Sequence, residues 1–207
     1  MTFFCEAFAP GANAFDSAAR AVVGRSQETL LAILRPQVAL AIWLRDEPAG
    51  FGRSLRALGE GGPFVAVGQG APEAALDALC EQLSQGIDGA FLTDIFRLST
   101  LFGALARSET VRLRLEGITD DACRKFHVDA VGLRMLVTYA GPGTQWVMGD
   151  PAAATTPEQV PCGAVALLRG RRGTGESVLH RSPPLSHLPE ARRWRLLLCI
   201  DEPLPLP

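Results

Sequence analysis

At Val111 the repeat of the side chains changes. The run Val111-Arg112-Leu113-Arg114-Leu115-Glu116 alternates apolar and charged residues without a break. On a helix such residues would scatter around the axis. On a strand they separate onto two faces, so the segment predicts a strand with one buried side. Further short segments of strand character follow: Lys125 to Asp129, Leu133 to Tyr139, Gln145 to Met148, Glu158 to Val160, Ala164 to Arg169, Ser177 to His180 and Arg195 to Ile200. Gly141-Pro142-Gly143 and the loop from Gly170 to Gly175 punctuate them. Short strands at this spacing predict a sandwich or a jelly roll.

Before Val111 the chain reads mainly as helix. Ser26 is placed to cap a short helix through Leu34, which Pro36 stops. Val38 to Leu44 is apolar throughout and fits a buried strand or a helix segment equally. Phe64 to Val67 is a strand candidate. Pro72 suits a first helical position, with Leu76, Leu79 and Leu83 on one face and Gly86 as the stop. From Asp88 to Arg107, Phe91, Ile95, Leu98 and Phe102 recur at helical spacing, which predicts a helix covering a sheet.

Charge narrows the function classes. The formal net charge is -2, so no basic footprint exists for a nucleic-acid backbone. No apolar run reaches membrane-spanning length, and Met1 to Ala19 has no basic segment ahead of its apolar residues. The five cysteines are scattered, odd in number and free of C-x-x-C spacing, which argues against a disulfide framework and for a reducing cytoplasm. The expected partner is a small-molecule or protein substrate, with neither nucleic acid nor membrane involved.

Two of the three histidines carry the chemistry. In Phe126-His127-Val128-Asp129, a strand would turn His127 and Asp129 to the same face, where an imidazole and a carboxylate can grip one cation. His180 lies several strand candidates later, and closure of the strands can bring it beside the first pair. Two histidines and one carboxylate on one side of an ion leave the other side open, the arrangement of non-haem Fe(II) oxygenases. Zinc accepts the same ligands, so a metal-holding protein without catalysis is an alternative reading, as is a small-molecule binder with no metal. Cys123 can add a sulfur ligand from four residues before His127, or be an ordinary buried thiol. Tyr139 and Trp146 can line a pocket or belong to the core. His187, in a Pro/Ser-rich loop, reads as solvent-exposed.

The order of a helix-rich flank, H-x-D, a Gly/Pro turn, a distal His and an Arg-bearing strand resembles the Fe(II)/2-oxoglutarate-dependent dioxygenases. The resemblance implies an α+β chain whose C-terminal half, 111–202, is a double-stranded β-helix (jelly roll). An N-terminal α/β flank, 1–110, packs on it, and 203–207 form an extended tail of the same structural unit. It implies Fe(II) and 2-oxoglutarate as cofactors and hydroxylation of a substrate. A basic residue after the distal His then pairs with the far carboxylate of 2-oxoglutarate. Arg195 is the first choice, with Arg193 and Arg134 as the other candidates. Asp121 to Asp129, Thr138 to Trp146, His180 to Pro184 and Arg195 to Asp201 also resemble a bacterial family known only as domain of unknown function 1826.

Overall fold

The computed structural model describes residues 20–46, 50–83, 86–148 and 156–203. The expectations for Met1 to Ala19 and for the last residues of the tail lie outside the described residues.

Among the described residues, ten strands and three α-helices build a mixed α/β fold. In chain order these are β1 (Ala21–Gly24), β2 (Leu40–Trp43), α1 (Gly52–Glu60), β3 (Phe64–Gly70), α2 (Pro72–Cys80), α3 (Gly89–Ala106), β4 (Val111–Ile118), β5 (Leu133–Ala140), β6 (Gln145–Val147), β7 (Glu158–Gln159), β8 (Val165–Arg169), β9 (Leu179–Arg181) and β10 (Arg195–Asp201). Gln27–Leu34 is a 3-10 helix with Ser26 at its N-cap. The large sheet runs β1-β2-β8-β5-β10-β4-β3, and a small sheet runs β7-β6-β9. Only the β1–β2 pairing is parallel.

The alternation at Val111 becomes β4 as expected, with Val111, Leu113 and Leu115 fully buried. Its buried side faces the helices. Phe91, Ile95, Leu98 and Phe102 of α3 join Leu113 and Leu115 of β4, Met135 and Val137 of β5 and Leu196, Leu198 and Ile200 of β10 in the main core. The 18 residues of α3 have the length and mean composition of a membrane-crossing helix, but Asp94 and Arg97 interrupt their apolar run and Phe91, Ile95, Leu98 and Phe102 are buried in the main core. On the opposite side of the sheet, Leu136, Ala166, Leu168, Leu197 and Cys199 form a second core with Trp146 of the small sheet packed against it. Both faces of the central strands are therefore covered.

Three expectations need correction. The first half is not mainly helical in its contribution: β1, β2 and β3 are strands of the large sheet, and Val38 to Leu44 resolves into β2. No helix is expected from the sequence at α1, yet Phe51, Leu55 and Leu58 recur there at helical spacing and join the main core, with Arg53, Arg56 and Glu60 exposed on the other side. Lys125 to Asp129 is not a strand. Only His127 pairs, through an isolated bridge to His180, while Cys123 takes a left-handed backbone (φ 57°) that keeps the segment a loop.

Gly68 of β3 lies under α2. A Cβ there would sit 1.8 Å from the Ala75 carbonyl oxygen, so the missing side chain lets the helix lie flat on the strand. Gly68→Ala is expected to destabilise the fold by about 1–3 kcal/mol through overpacking, read as a lower denaturant midpoint at unchanged slope.

Candidate functional site

The bridge between His127 and His180 brings the two histidines together. Each backbone N–H donates to the other's carbonyl at 3.0 Å, and the ring centroids stand 4.7 Å apart. Asp129, two residues on, reaches both rings. Its Oδ1 is 3.3 Å from Nε2 of His127 and its Oδ2 is 2.9 Å from Nε2 of His180. One ligand atom from each of the three residues lies within 4.8 Å of the others, and this is the only such group among the described residues.

The proton arrangement tests whether a cation fits. Nδ1 of His127 stands 2.9 Å from the Lys125 carbonyl, which can only accept, so Nδ1 carries the proton. In the neutral ring, Nε2 then turns a lone pair toward a carboxylate. Asp129 Oδ2 is buried and takes part in no hydrogen bond, despite its approach to His180. The lone pair of His127 Nε2 and the unpaired Oδ2 of Asp129 face one another beside the ring of His180, and a positive charge between them would satisfy both. A divalent ion fits this group. Burial alone would push the Asp129 carboxyl up, but His127, His180 and Arg134 outweigh it and hold the group well below the usual carboxylate range. Without a metal, the same carboxylate favours a second proton on His127, whose Nε2–H would donate to Asp129, and so raises its pKa against the opposing effect of burial.

Arg134 on β5 fixes the acid from behind. Its Nη1 is 2.8 Å from Asp129 Oδ1, while Nε and Nη2 donate to the two oxygens of Asp201 at 2.5 and 2.7 Å. Its fork is thus occupied by protein carboxylates, which answers the expectation that it pairs with a cosubstrate. Oδ1 of Asp129 is held by Arg134, and Oδ2 is left for a metal.

The histidines open onto a cavity of about 390 Å³, whose wall also includes Arg134, Leu136, Thr144, Ser182, Arg195 and Leu197. Arg195 is 1% exposed. Its Nη1 donates to Ser182 Oγ at 2.8 Å, and its Nη2 to Thr144 Oγ1 at 2.8 Å and Thr138 Oγ1 at 3.2 Å. Its Nε is buried without an acceptor, and among the described residues no carboxylate lies within ion-pair distance of it. Burial pulls its pKa down to about 10, only partly offset by Glu116, Cys123 and Cys162. A buried guanidinium surrounded by hydroxyls is costly unless an anion joins it.

The remaining candidates divide. Arg193 is exposed and donates to the Leu188 carbonyl, off the cavity wall, so it is not placed to bind a cosubstrate. Tyr139 points to the opposite side of the sheet, where it donates to Asp94 and packs against Phe51 and Phe91. Trp146 pairs in register with His180 but packs into the second core and is not among the residues lining this cavity. Cys123 is exposed, lies on the cavity wall and is outside the three-ligand group. His187 is exposed, as expected.

Sequence reasoning missed Thr138, Thr144 and Ser182 as partners of Arg195, because hydroxyls far apart in the chain carry no pattern. Asp121 ties the loop before His127 to the loop after His180, accepting from the Leu185 and Ser186 amides at 2.7 and 3.0 Å. The sequence shows it only as a turn or cap residue.

No curated protein matches the chain. Among solved structures it is similar to the dioxygenase for auxin oxidation 1 from Arabidopsis thaliana, in its complex with 2-oxoglutarate. There the TM-score is 0.56 at 11% identity, covering 90% of this chain and 92% of that one. It is also similar to the dioxygenase for auxin oxidation in rice, with a TM-score of 0.53 at 16% identity over 87% of this chain and 81% of that one. These likenesses are of fold. The sequence profile of a family described as protein of unknown function (DUF1826) matches residues 24–201, nearly the whole described chain, and the protein belongs to that family.

Proposed function

We propose that the chain is an Fe(II)- and 2-oxoglutarate-dependent oxygenase on a double-stranded β-helix. His127, Asp129 and His180 are its metal ligands, and Arg195 anchors the far carboxylate of 2-oxoglutarate. One observation carries the reading: a single cavity is lined both by the two histidines of the His127–Asp129–His180 group and by a buried guanidinium that forms no ion pair among the described residues. The first attracts a metal and the second an anion. The solved structure of similar fold described as a dioxygenase in complex with 2-oxoglutarate supports this cosubstrate.

Bound Fe(II) would supply dioxygen activation coupled to oxidation of 2-oxoglutarate. The chain's own part is positional. The Lys125 carbonyl fixes the ring of His127, and Arg134 fixes one oxygen of Asp129. Ser182, Thr138 and Thr144 aim the guanidinium of Arg195. Leu136 and Leu197 supply apolar wall to the same cavity. A zinc store would use the same three ligands, but it gives Arg195 nothing to bind. The thiols of Cys80, Cys123 and Cys199 suit a reducing cytoplasm as the compartment.

The test is anaerobic purification, loading with Fe(II), and measurement of succinate from 2-oxoglutarate in air. Succinate release supports the oxygenase, whereas tight zinc without turnover supports the store. Arg195→Met is expected to raise the KM for 2-oxoglutarate by roughly 10- to 150-fold, the loss of a charge-assisted hydrogen-bond pair. An unchanged KM removes Arg195 from the proposal.

A further inference from the structure

Most charged groups on the cavity wall already have fixed partners. Arg134 is held by Asp129 and Asp201. Arg181 donates to Gln145 and stacks on Phe126, 4.4 Å from the ring centre. Asp120 accepts from the Ala122 amide. Arg195 is aimed by three hydroxyls and, on the oxygenase reading, takes the cosubstrate.

Arg114 and Glu116 are left. They sit two residues apart on β4, on the face opposite the helices, and both line the cavity. Their side chains are 29% and 18% exposed. Nε of Arg114 comes within 3.0 Å of Glu116 Oε1, yet this N–H is buried and finds no acceptor. Among the described residues, no hydrogen bond joins the terminal nitrogens of this guanidinium or the other oxygen of Glu116 to the protein. Their neighbours across the ladder are apolar or nearly so: Leu197 and Cys199 on β10, Val65 and Val67 on β3. A partly buried, poorly aligned ion pair in such a wall is under-satisfied on both sides.

We infer that Arg114 and Glu116 form a clamp for the primary substrate, a zwitterionic α-amino acid with an apolar side chain. Its carboxylate meets the free fork of Arg114, which suits a planar bidentate acceptor. Its ammonium meets Glu116. A simple anion would place its charge beside Glu116, and a simple cation beside Arg114. A ligand with both charges one carbon apart gains at both residues, which stand within 3.0 Å of each other. Phe64, Val65 and Ile118 line the same end of the cavity and offer the side chain an apolar surface. The inference rests on the oxygenase reading only in assigning Arg195 to 2-oxoglutarate.

The full-length protein, with Mn(II) and 2-oxoglutarate added, is titrated with each apolar protein amino acid in turn, and Tm is followed. At least one of them is expected to raise Tm with concentration. Its N-acetyl derivative, which lacks the ammonium, and its methyl ester, which lacks the carboxylate, are each expected to lose the shift. Arg114→Met and Glu116→Gln are expected to weaken binding by about tenfold or more. If a variant fails to fold, the derivative series on the unaltered protein decides. The clamp is overturned if no amino acid shifts Tm, or if the N-acetyl derivative binds as well as its parent. Absence of any shift from Mn(II) and 2-oxoglutarate sinks the oxygenase reading instead. The amino-acid titration, repeated on the metal-free protein, then still judges the clamp.

Discussion

His180→Ala is expected to abolish stoichiometric Fe(II) binding, and with it succinate release, while leaving the fold intact. The side chain is nearly buried and supplies the nitrogen closest to Asp129. Loss of an outer partner of a ligand alone costs about 10- to 100-fold in metal affinity. Removal of the ligand itself is therefore expected to exceed about 100-fold on the same scale. Alanine keeps the backbone bridge to His127, so the two chain segments stay paired. It also leaves the Arg134–Asp129 and Arg134–Asp201 pairs in place, which makes it a cleaner test than changing Asp129. Equilibrium dialysis with Fe(II) under argon, beside far-ultraviolet circular dichroism, gives the two readouts. A variant that binds one metal per chain with unaltered affinity removes His180 from the site.

The second large effect is on stability and lies on the other side of the sheet. Arg45 and Asp94 form a bidentate pair at 2.6 and 2.8 Å, with side chains only 8% and 7% exposed. Tyr139 donates to Asp94 Oδ2 at 2.7 Å, and Nε of Arg45 donates to the Gly163 carbonyl. Asp94→Ala strands a buried guanidinium and a buried phenol together. Breaking one side of such a pair costs about 3–5 kcal/mol, which for a chain of this size lowers Tm by roughly 6–20 °C. Replacing both charges, as in Arg45→Met with Asp94→Leu, is expected to recover part of the loss, because no unpaired charge remains. Calorimetry of the single and double variants checks the cycle. A double variant no more stable than Asp94→Ala would place the effect in packing around Tyr139 rather than in the charge.

The strands of the second half were legible because their side chains alternate or run apolar between Gly and Pro turns. Seven of the eight segments expected from Val111 onward contain a strand, shifted by a residue or two at their ends. The exception, Lys125 to Asp129, holds the two most informative residues. Pattern alone makes H-x-D a strand, but its hydrogen bonds go to one partner residue rather than to a ladder. His127 and Asp129 still end on one side, since the bridge fixes His127 and Arg134 pulls on Asp129. Arg195 stood out beside Arg193 only because it opens an apolar run, and that position is what buries it. The row Asp129, Arg134 and Asp201 was not legible. Its members meet across strands that the sequence separates.

Residue parity along each strand belongs to the sequence: Arg134, Leu136 and Thr138 share one face of β5, and Met135, Val137 and Tyr139 the other. Which face meets the helices and which meets the site belongs to the tertiary structure, because both sides of that strand are covered and apolar residues occupy each. That is why Tyr139 falls among Phe51 and Phe91 while Thr138 reaches Arg195. The residue types able to hold a metal were fixed by the chain. Their meeting at one point was fixed by the pairing of His127 with His180, a long-range contact that no local pattern encodes.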